Sequence, residues 1–265
     1  MTRAKILGFL SAFAVAIGIA SQAHAADDAT HEAYPLEMTK RPIQLPEGML
    51  QVRGDVGIDL STGIAGKRII VAPSAHYGVT KDLQLGLEHG NASGGQSLCF
   101  GSFCDVYNGF SVDGKYWLVR NEGFSLSAHL ALPVSQLSPN FFLSARAGVY
   151  IWWYATENFA LWADPALVIG IIGRDKGNKE VLDIPIRAAY NVTPELALYA
   201  ETGFTTPLEF FGDLFRIPLG VGALYAINHK IDVGGQFTFT QLLGGSLVAT
   251  GVDGRYLGAF ANFRF

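Results

Sequence analysis

The chain has 265 residues, with 19 Lys plus Arg against 23 Asp plus Glu and a formal net charge of −4. That balance excludes a surface built for nucleic acid, which needs clustered basic residues. Hydrophobic residues make up 49% of the chain and aromatics 12%, with 31 glycines, yet beyond residue 25 no charge-poor run approaches the length of a membrane-spanning helix. Two classes survive, a globule with a buried core and a barrel whose outer wall meets lipid.

Residues 1–25 open with Arg3 and Lys5, continue through an apolar stretch from Ile6 to Ala20, and exit at Ala23-His24-Ala25. This is the make-up of a secretory signal peptide cut after Ala25. The apolar stretch is shorter than the roughly 20 residues a spanning helix needs. Cleavage would take Arg3 and Lys5 away and move the net charge from −4 to −6. Residues 26–47 are polar, with three prolines and no clear period, and are expected to form a lead-in to a barrel or a partial plug.

From Met49 the period becomes two. Leu50, Val52, Val56, Ile58 and Leu60 share one face, against Gln51, Arg53, Asp55 and Asp59. The segment Ile69 to Tyr77 runs into the turn Gly78-Val-Thr-Lys-Asp82, after which Leu83, Leu85 and Leu87 alternate with Gln84, Gly86 and Glu88. Short polar turns recur at 121–123, 156–158, 192–195 and 227–230, each followed by an alternating strand. Longer connections fall at 61–68, 89–107, 133–140, 173–180, 205–214 and 241–253. Residues 160–172 are apolar on both faces, and Pro165 interrupts them. The terminal stretch, Tyr256 to Phe265, alternates to its last residue: Leu257, Ala259, Ala261, Phe263 and Phe265 against Tyr256, Gly258, Phe260, Asn262 and Arg264.

The rhythm of short and long connections predicts an all-β fold, a transmembrane antiparallel up-and-down β-barrel of about 12 strands with both termini periplasmic, occupying residues 48–265. A soluble β-sandwich shares the period but not the rhythm. Tyr77, Tyr116, Phe124, Trp153, Phe159, Tyr190, Tyr225, Phe263 and Phe265 fall beside the short turns on the face assigned outward. Rings at that depth suit the level of the lipid headgroups.

The opposite stripe then lines the lumen: Arg53, Asp55, Asp59, His76, Glu88, Asp113, Lys115, His129, Arg146, Asp164, Asp183, Arg187, Glu201, Arg216, Asp232, Gln236 and Arg264. Both signs are interleaved. One reading is a salt-bridge lattice bracing the wall, since a buried charge must be paired or hydrated. The other is a polar channel in which Arg146, Arg187 and Arg216 attract an anionic or carboxylated solute. Inward Gly57, Gly78, Gly86, Gly220, Gly222 and Gly234 would widen it, and Trp117, Tyr150, Trp152, Trp162 and Tyr199 would narrow it.

Cys99 and Cys104 are an even, closely spaced pair in an exported chain, which reads as a disulfide; a metal site there would have only His89 and Asp105 nearby. Enzyme signatures are weak. Ser127 and His129 share a face without an orienting third group, and His89 with Glu88 reads as a solvated loop mouth. The acceptor patterns at Asn91-Ala-Ser93 and Asn191-Val-Thr193 are taken as chance.

The signal peptide, the terminal strand, the entry Leu45-Pro-Glu-Gly-Met-Leu50 and the hairpin Tyr77-Gly-Val-Thr-Lys-Asp-Leu-Gln-Leu-Gly-Leu87 together resemble small outer-membrane β-barrel proteins of Gram-negative bacteria. They look most like porin-like proteins of about this length, including a transporter group tied to phenol degradation. The resemblance implies that Leu257, Phe263 and Phe265 form the ending read by the barrel-insertion machinery, with lipid as the other partner. It carries no substrate-reading motif. The resulting expectation is a monomeric narrow channel for small hydrophilic solutes, with no cofactor, no metal and no catalysis. The alternative is a structural or surface-interaction barrel with a closed lumen and an exposed Cys99–Cys104 loop; an outer-membrane hydrolase ranks below both.

Overall fold

A computed structural model describes residues 34–61, 68–89, 98–101, 107, 109–135, 140–248 and 251–265. The expected signal peptide, Cys104 and Asp105, and the Asn91-Ala-Ser93 pattern lie outside them. The strands are β1 (Leu50–Asp59), β2 (Ile69–Thr80), β3 (Leu83–Glu88), β4 (Leu98–Phe100), β5 (Gly109–Arg120), β6 (Phe124–Ser135), β7 (Phe142–Thr156), β8 (Phe159–Ala163), β9 (Ala166–Ile172), β10 (Val181–Asn191), β11 (Leu196–Pro207), β12 (Arg216–Ala226), β13 (Ile231–Gly244) and β14 (Arg255–Arg264).

Fourteen segments make twelve staves. β3 and β4 follow one another along β2, and β8 and β9 follow one another along β7 and β10. The second break is at Asp164-Pro165, where proline has no N–H to give to a ladder. Each stave is antiparallel to the next. β1 pairs with β2 on one side and with β14 on the other, from Gln51 opposite Arg264 to Asp59 opposite Tyr256, which closes the sheet and removes its edges.

The five short turns all lie at one rim, and the start of β1 and the end of β14 lie there too. The long connections lie at the other. There the strands run further than the sequence suggested: 133–135, 205–207 and 241–244 are strand, so these connections begin at 136, 208 and 245. Local composition hid this, because Pro133, the Thr205-Thr206 pair and Gly244 weaken the alternation that identifies a strand.

Large apolar side chains cover the outside. Leu85, Leu87, Leu130, Leu132, Val221 and Leu257 are exposed, and so are the rings of Tyr77, Tyr116, Trp153, Tyr190 and Tyr225 beside the short turns. Such a continuous apolar surface suits lipid rather than water. On β14, Tyr256, Phe260, Asn262 and Arg264 are buried inside, while Leu257 and Phe263 point out.

Candidate functional site: the lumen

Two layers of side chains line the lumen, and the first is at the short-turn rim. Residues 34–49, which include one 3₁₀ turn at Met38–Lys40, pack inside the barrel end rather than trailing from it. Met38 and Ile43 join Trp152, Trp162, Tyr199, Leu224 and Phe260 in one buried cluster, with Trp152 and Trp162 stacked at 4.8 Å. Polar bonds fix the segment to staves around the ring. Gln44 Nε2 donates to Ser127 Oγ on β6 at 2.8 Å, and Gln84 Oε1 on β3 accepts from the Leu45 N–H at 2.8 Å. Asn191 Nδ2 on β10 donates to Thr39 Oγ1 at 2.7 Å, and the His229 ring meets the Tyr34 carbonyl at 2.8 Å. Asn191 is thus buried and engaged, which agrees with reading its acceptor pattern as chance.

The strongest anchor is ionic. Arg41 forms a two-pronged pair with Asp232 on β13, Nη1 to Oδ2 at 2.8 Å and Nη2 to Oδ1 at 2.9 Å. Arg264, at the end of β14, pairs with the same carboxylate, and both guanidiniums lie against the Tyr34 ring. Asp232 is fully buried, so this one carboxylate holds the segment and the terminal strand together. Arg41, Thr39, Gln44 and Tyr34 escaped the sequence reading because the segment has no period; their one signal was a basic residue and amides among otherwise featureless polar chain.

The second layer is at mid-wall and is charged. On one side, His76 Nε2 lies 3.0 Å from Glu88 Oε1 and 3.6 Å from Asp113 Oδ1, while His129 Nε2 lies 3.5 Å from Asp113 Oδ2. His129 Nδ1 lies 2.9 Å from Asp164, which Arg146 also holds at 2.9 Å, and Arg146 donates to the Asp164 carbonyl that the Pro165 break leaves available. Lys115 places its ammonium over the Tyr150 ring at 4.7 Å. Across the lumen wall, Arg53 pairs with Asp55 at 2.6 Å and stacks over Phe260 at 3.9 Å. Arg187 pairs with Glu201 at 2.7 Å and lies over Trp162 and Tyr199 at 5.2 and 4.8 Å.

The expected lumen charges therefore divide. Arg146 is locked onto Asp164 and is only 12% exposed, so it is not the free cation the sequence suggested. Arg53 and Arg187 keep 28% and 30% of their side chains exposed. Asp59 is tied to Arg68, and Asp183 accepts from Thr205 Oγ1 at 2.7 Å, both toward the long-connection rim. Arg216 is exposed at that rim. Cys99 is buried on β4.

The inward glycines also act differently from expectation. At Gly57, Gly222 and Gly234 a Cβ would collide with the rings of Tyr256, Tyr199 and Phe260 respectively. These glycines let neighbouring aromatics lie flat along the wall; the space they free is occupied. At Gly78 a Cβ would strike the Pro46 carbonyl, so that glycine admits the backbone of the N-terminal segment.

Ser127 and His129 do not form a nucleophile–base pair: Ser127 is bonded to Gln44 and His129 to Asp164. Glu88 turns to His76 and not to His89.

No protein-family model and no curated protein sequence matches the chain. Solved structures do match in shape. The KdgM porin superposes with a TM-score of 0.58 at 10% identity, covering 81% of this chain and 99% of that one. The NanC porin gives 0.57 at 11% identity, over 81% and 98%. The COG4313 outer membrane channel from Pseudomonas putida F1 gives 0.53 at 13% identity, over 82% and 94%. At that identity the likeness concerns architecture, and it agrees with the closure described above: the chain is a twelve-stranded antiparallel β-barrel with the fold of small outer-membrane channels.

Proposed function

We propose that the protein is an outer-membrane channel of a Gram-negative bacterium that passes small hydrophilic solutes, with a preference for anions. The observation that carries this reading is the pair of partly exposed arginines at mid-wall, Arg53 over Phe260 and Arg187 beside Trp162 and Tyr199. A cation presented on an aromatic face can meet both the carboxylate and the apolar ring face of a sugar acid. Arg216 at the long-connection rim would add to the attraction. One fold neighbour, the KdgM porin, was solved in complex with disordered oligogalacturonate, an anionic sugar chain bound by that protein.

In this reading the short-turn rim faces the periplasm, and Leu257, Phe263 and Phe265 serve barrel insertion. The protein works as a monomer, without a cofactor and without catalysis. A disulfide between Cys99 and Cys104 would pin the connection after β4. Residues 34–49 throttle the periplasmic mouth. That segment also favours the second reading, a closed structural barrel, because its packing is apolar as well as polar.

Planar-bilayer recording of the mature protein separates the two. Stepwise currents with an anionic reversal potential, shifted toward cations by Arg53→Ala with Arg187→Ala, support the channel. Silence at all voltages, retained after deletion of residues 34–47, overturns it.

A further inference from the structure

We propose that the inner wall carries a zinc-type divalent cation site, formed by His76 on β2, Glu88 on β3 and Asp113 on β5, with His129 on β6 facing the second Asp113 oxygen. It rests on the fold and the side-chain geometry alone, so it holds whether or not the lumen conducts.

The cradle begins with a missing side chain. Gly86 stands directly between His76 and Asp113 in register, opposite the first on one side and the second on the other. A Cβ at Gly86 would fall on Asp113 Oδ1 and on the His76 ring. Its absence lets an imidazole and a carboxylate from two staves converge over the third.

The donor atoms of His76, Glu88 and Asp113 lie within 4.8 Å of one another. The contacts from Asp113 to the two imidazole nitrogens, 3.6 and 3.5 Å, are long for charge-assisted hydrogen bonds. The 3.6 Å between His76 Nε2 and Asp113 Oδ1 is near the separation of about 3.3 Å between two atoms bound to one tetrahedral Zn²⁺ at 2.0–2.1 Å. Both Asp113 oxygens and His129 Nε2 are buried without a hydrogen-bond partner, and the Asp113 side chain is 1% exposed. A carboxylate so buried and so bare is costly unless something neutralises it.

The surroundings suit a metal. His129 Nδ1 faces both the Asp164 carboxylate, at 2.9 Å, and Arg146 Nη1, at 2.8 Å, while its Nε2 faces Asp113 Oδ2, so His129 links the cluster to the Arg146–Asp164 pair. Groups behind a metal site in this way tune its affinity. The two carboxylates bring more negative charge than the neighbouring Lys115 ammonium offsets, and the mixed N/O set suits Zn²⁺ better than Ca²⁺ or Mg²⁺. A bound ion would tie three adjacent staves together from the lumen side.

The test uses the untagged mature barrel in detergent, stripped with chelator and titrated with Zn²⁺ and with Co²⁺. The expected result is one equivalent bound, with Co²⁺ giving the visible absorption of a tetrahedral site and Zn²⁺ displacing it. Asp113→Asn and Gly86→Ala should abolish binding. Asp164→Asn, which alters the pair behind His129, should weaken it by about 10–100-fold. Glu88→Gln alters the most exposed ligand, at 37%, and is the variant least able to disturb folding; it should weaken binding while circular dichroism stays unchanged. His229→Ala should change nothing. The proposal is overturned if neither ion binds more tightly than about 1 mM, a range typical of the weakest extracellular metal modules, or if Glu88→Gln and Asp113→Asn bind as the unaltered protein does.

Discussion

The two ends of the lumen are held by different physics. At the short-turn rim an irregular segment, residues 34–49, is seated by apolar burial, by single directional bonds to separate staves and by one ion pair, Arg41 with Asp232. At mid-wall the charges belong to the staves themselves and are paired between close neighbours in the sheet, as Arg187 with Glu201 and Arg146 with Asp164. Up to residue 47 the first arrangement can be withdrawn as a unit without breaking a ladder, since it is Gly48 and Met49 that bond to the Gly78 backbone of β2. The second cannot, because every partner is part of the wall. Restriction at the rim is therefore separable from the barrel, while the charge pattern at mid-wall is built into it.

Deleting residues 34–47 tests that separation and should have the largest effect. The ladder from β1 to β14 stays complete, so the barrel should still assemble, and single-channel conductance should rise severalfold. A deletion that prevents assembly would show instead that the segment is part of the wall's stability.

Asp232 is where the two regions meet. It takes Arg41 from the segment and Arg264 from the terminal strand. Removing one partner of a buried ion pair costs about 3–5 kcal/mol because the remaining charge is left uncompensated. Asp232→Ala should destabilise the barrel by that order in denaturant unfolding from lipid vesicles. In the segment-deleted protein, where Arg41 is gone, the same substitution should cost less.

How much of this was legible follows from the reach of each signal. Alternation is local, so the staves, the five short turns and the closing strand at Tyr256–Phe265 could be read directly. The aromatic belt followed once the faces were assigned. The identities of the lumen charges were also readable, since they occupy the opposite stripe. Their pairing was not: Arg41 and Asp232 are 191 positions apart, and nothing in the pattern near either points to the other. Arg146 looked like a free cation for the same reason, as its partner Asp164 sits in the break just before Pro165. The gap between β3 and β4 and the gap at Asp164-Pro165 each split one stave in two, and no local period reveals that the pieces share one line.

Within mid-wall, Arg187→Ala should leave stability nearly unchanged, because Glu201 also accepts from Thr238 Oγ1 at 3.1 Å and is not left bare. Its effect should be on selectivity, measured as a shift of reversal potential toward cations in a salt gradient. Arg146→Ala should do the opposite. It should lower stability by about 1–3 kcal/mol, because Arg146 holds the Asp164 carbonyl as well as its carboxylate and is itself more buried than Arg187, with a small change in selectivity. If both variants shift selectivity equally, the distinction between exposed and locked arginines fails.

The smallest expected effect is a pH dependence at the segment's outer face. Glu37 lies before the 3₁₀ turn and pairs with Lys40 at 3.0 Å. Its carboxyl is held below its usual value of 4.5, first by a backbone hydrogen bond and then by the Lys40 ammonium. A depressed value means that the ionised form is favoured by the packed segment. The stabilisation is thus complete above about pH 4.5 and is lost as pH falls through the lower value of the packed state. With the Lys40 side chain 49% exposed, solvent screening keeps the effect to a few tenths of a kcal/mol. Fluorescence of the buried Trp152–Trp162 stack, which the segment covers through Met38 and Ile43, should shift slightly toward that of the segment-deleted barrel as pH drops from 5 toward 3.5, a window set by the carboxylate range. Glu37→Gln should abolish the shift. Persistence of the shift in Glu37→Gln would move the sensitivity to the Asp232 anchor and place the weak point of the segment inside the lumen.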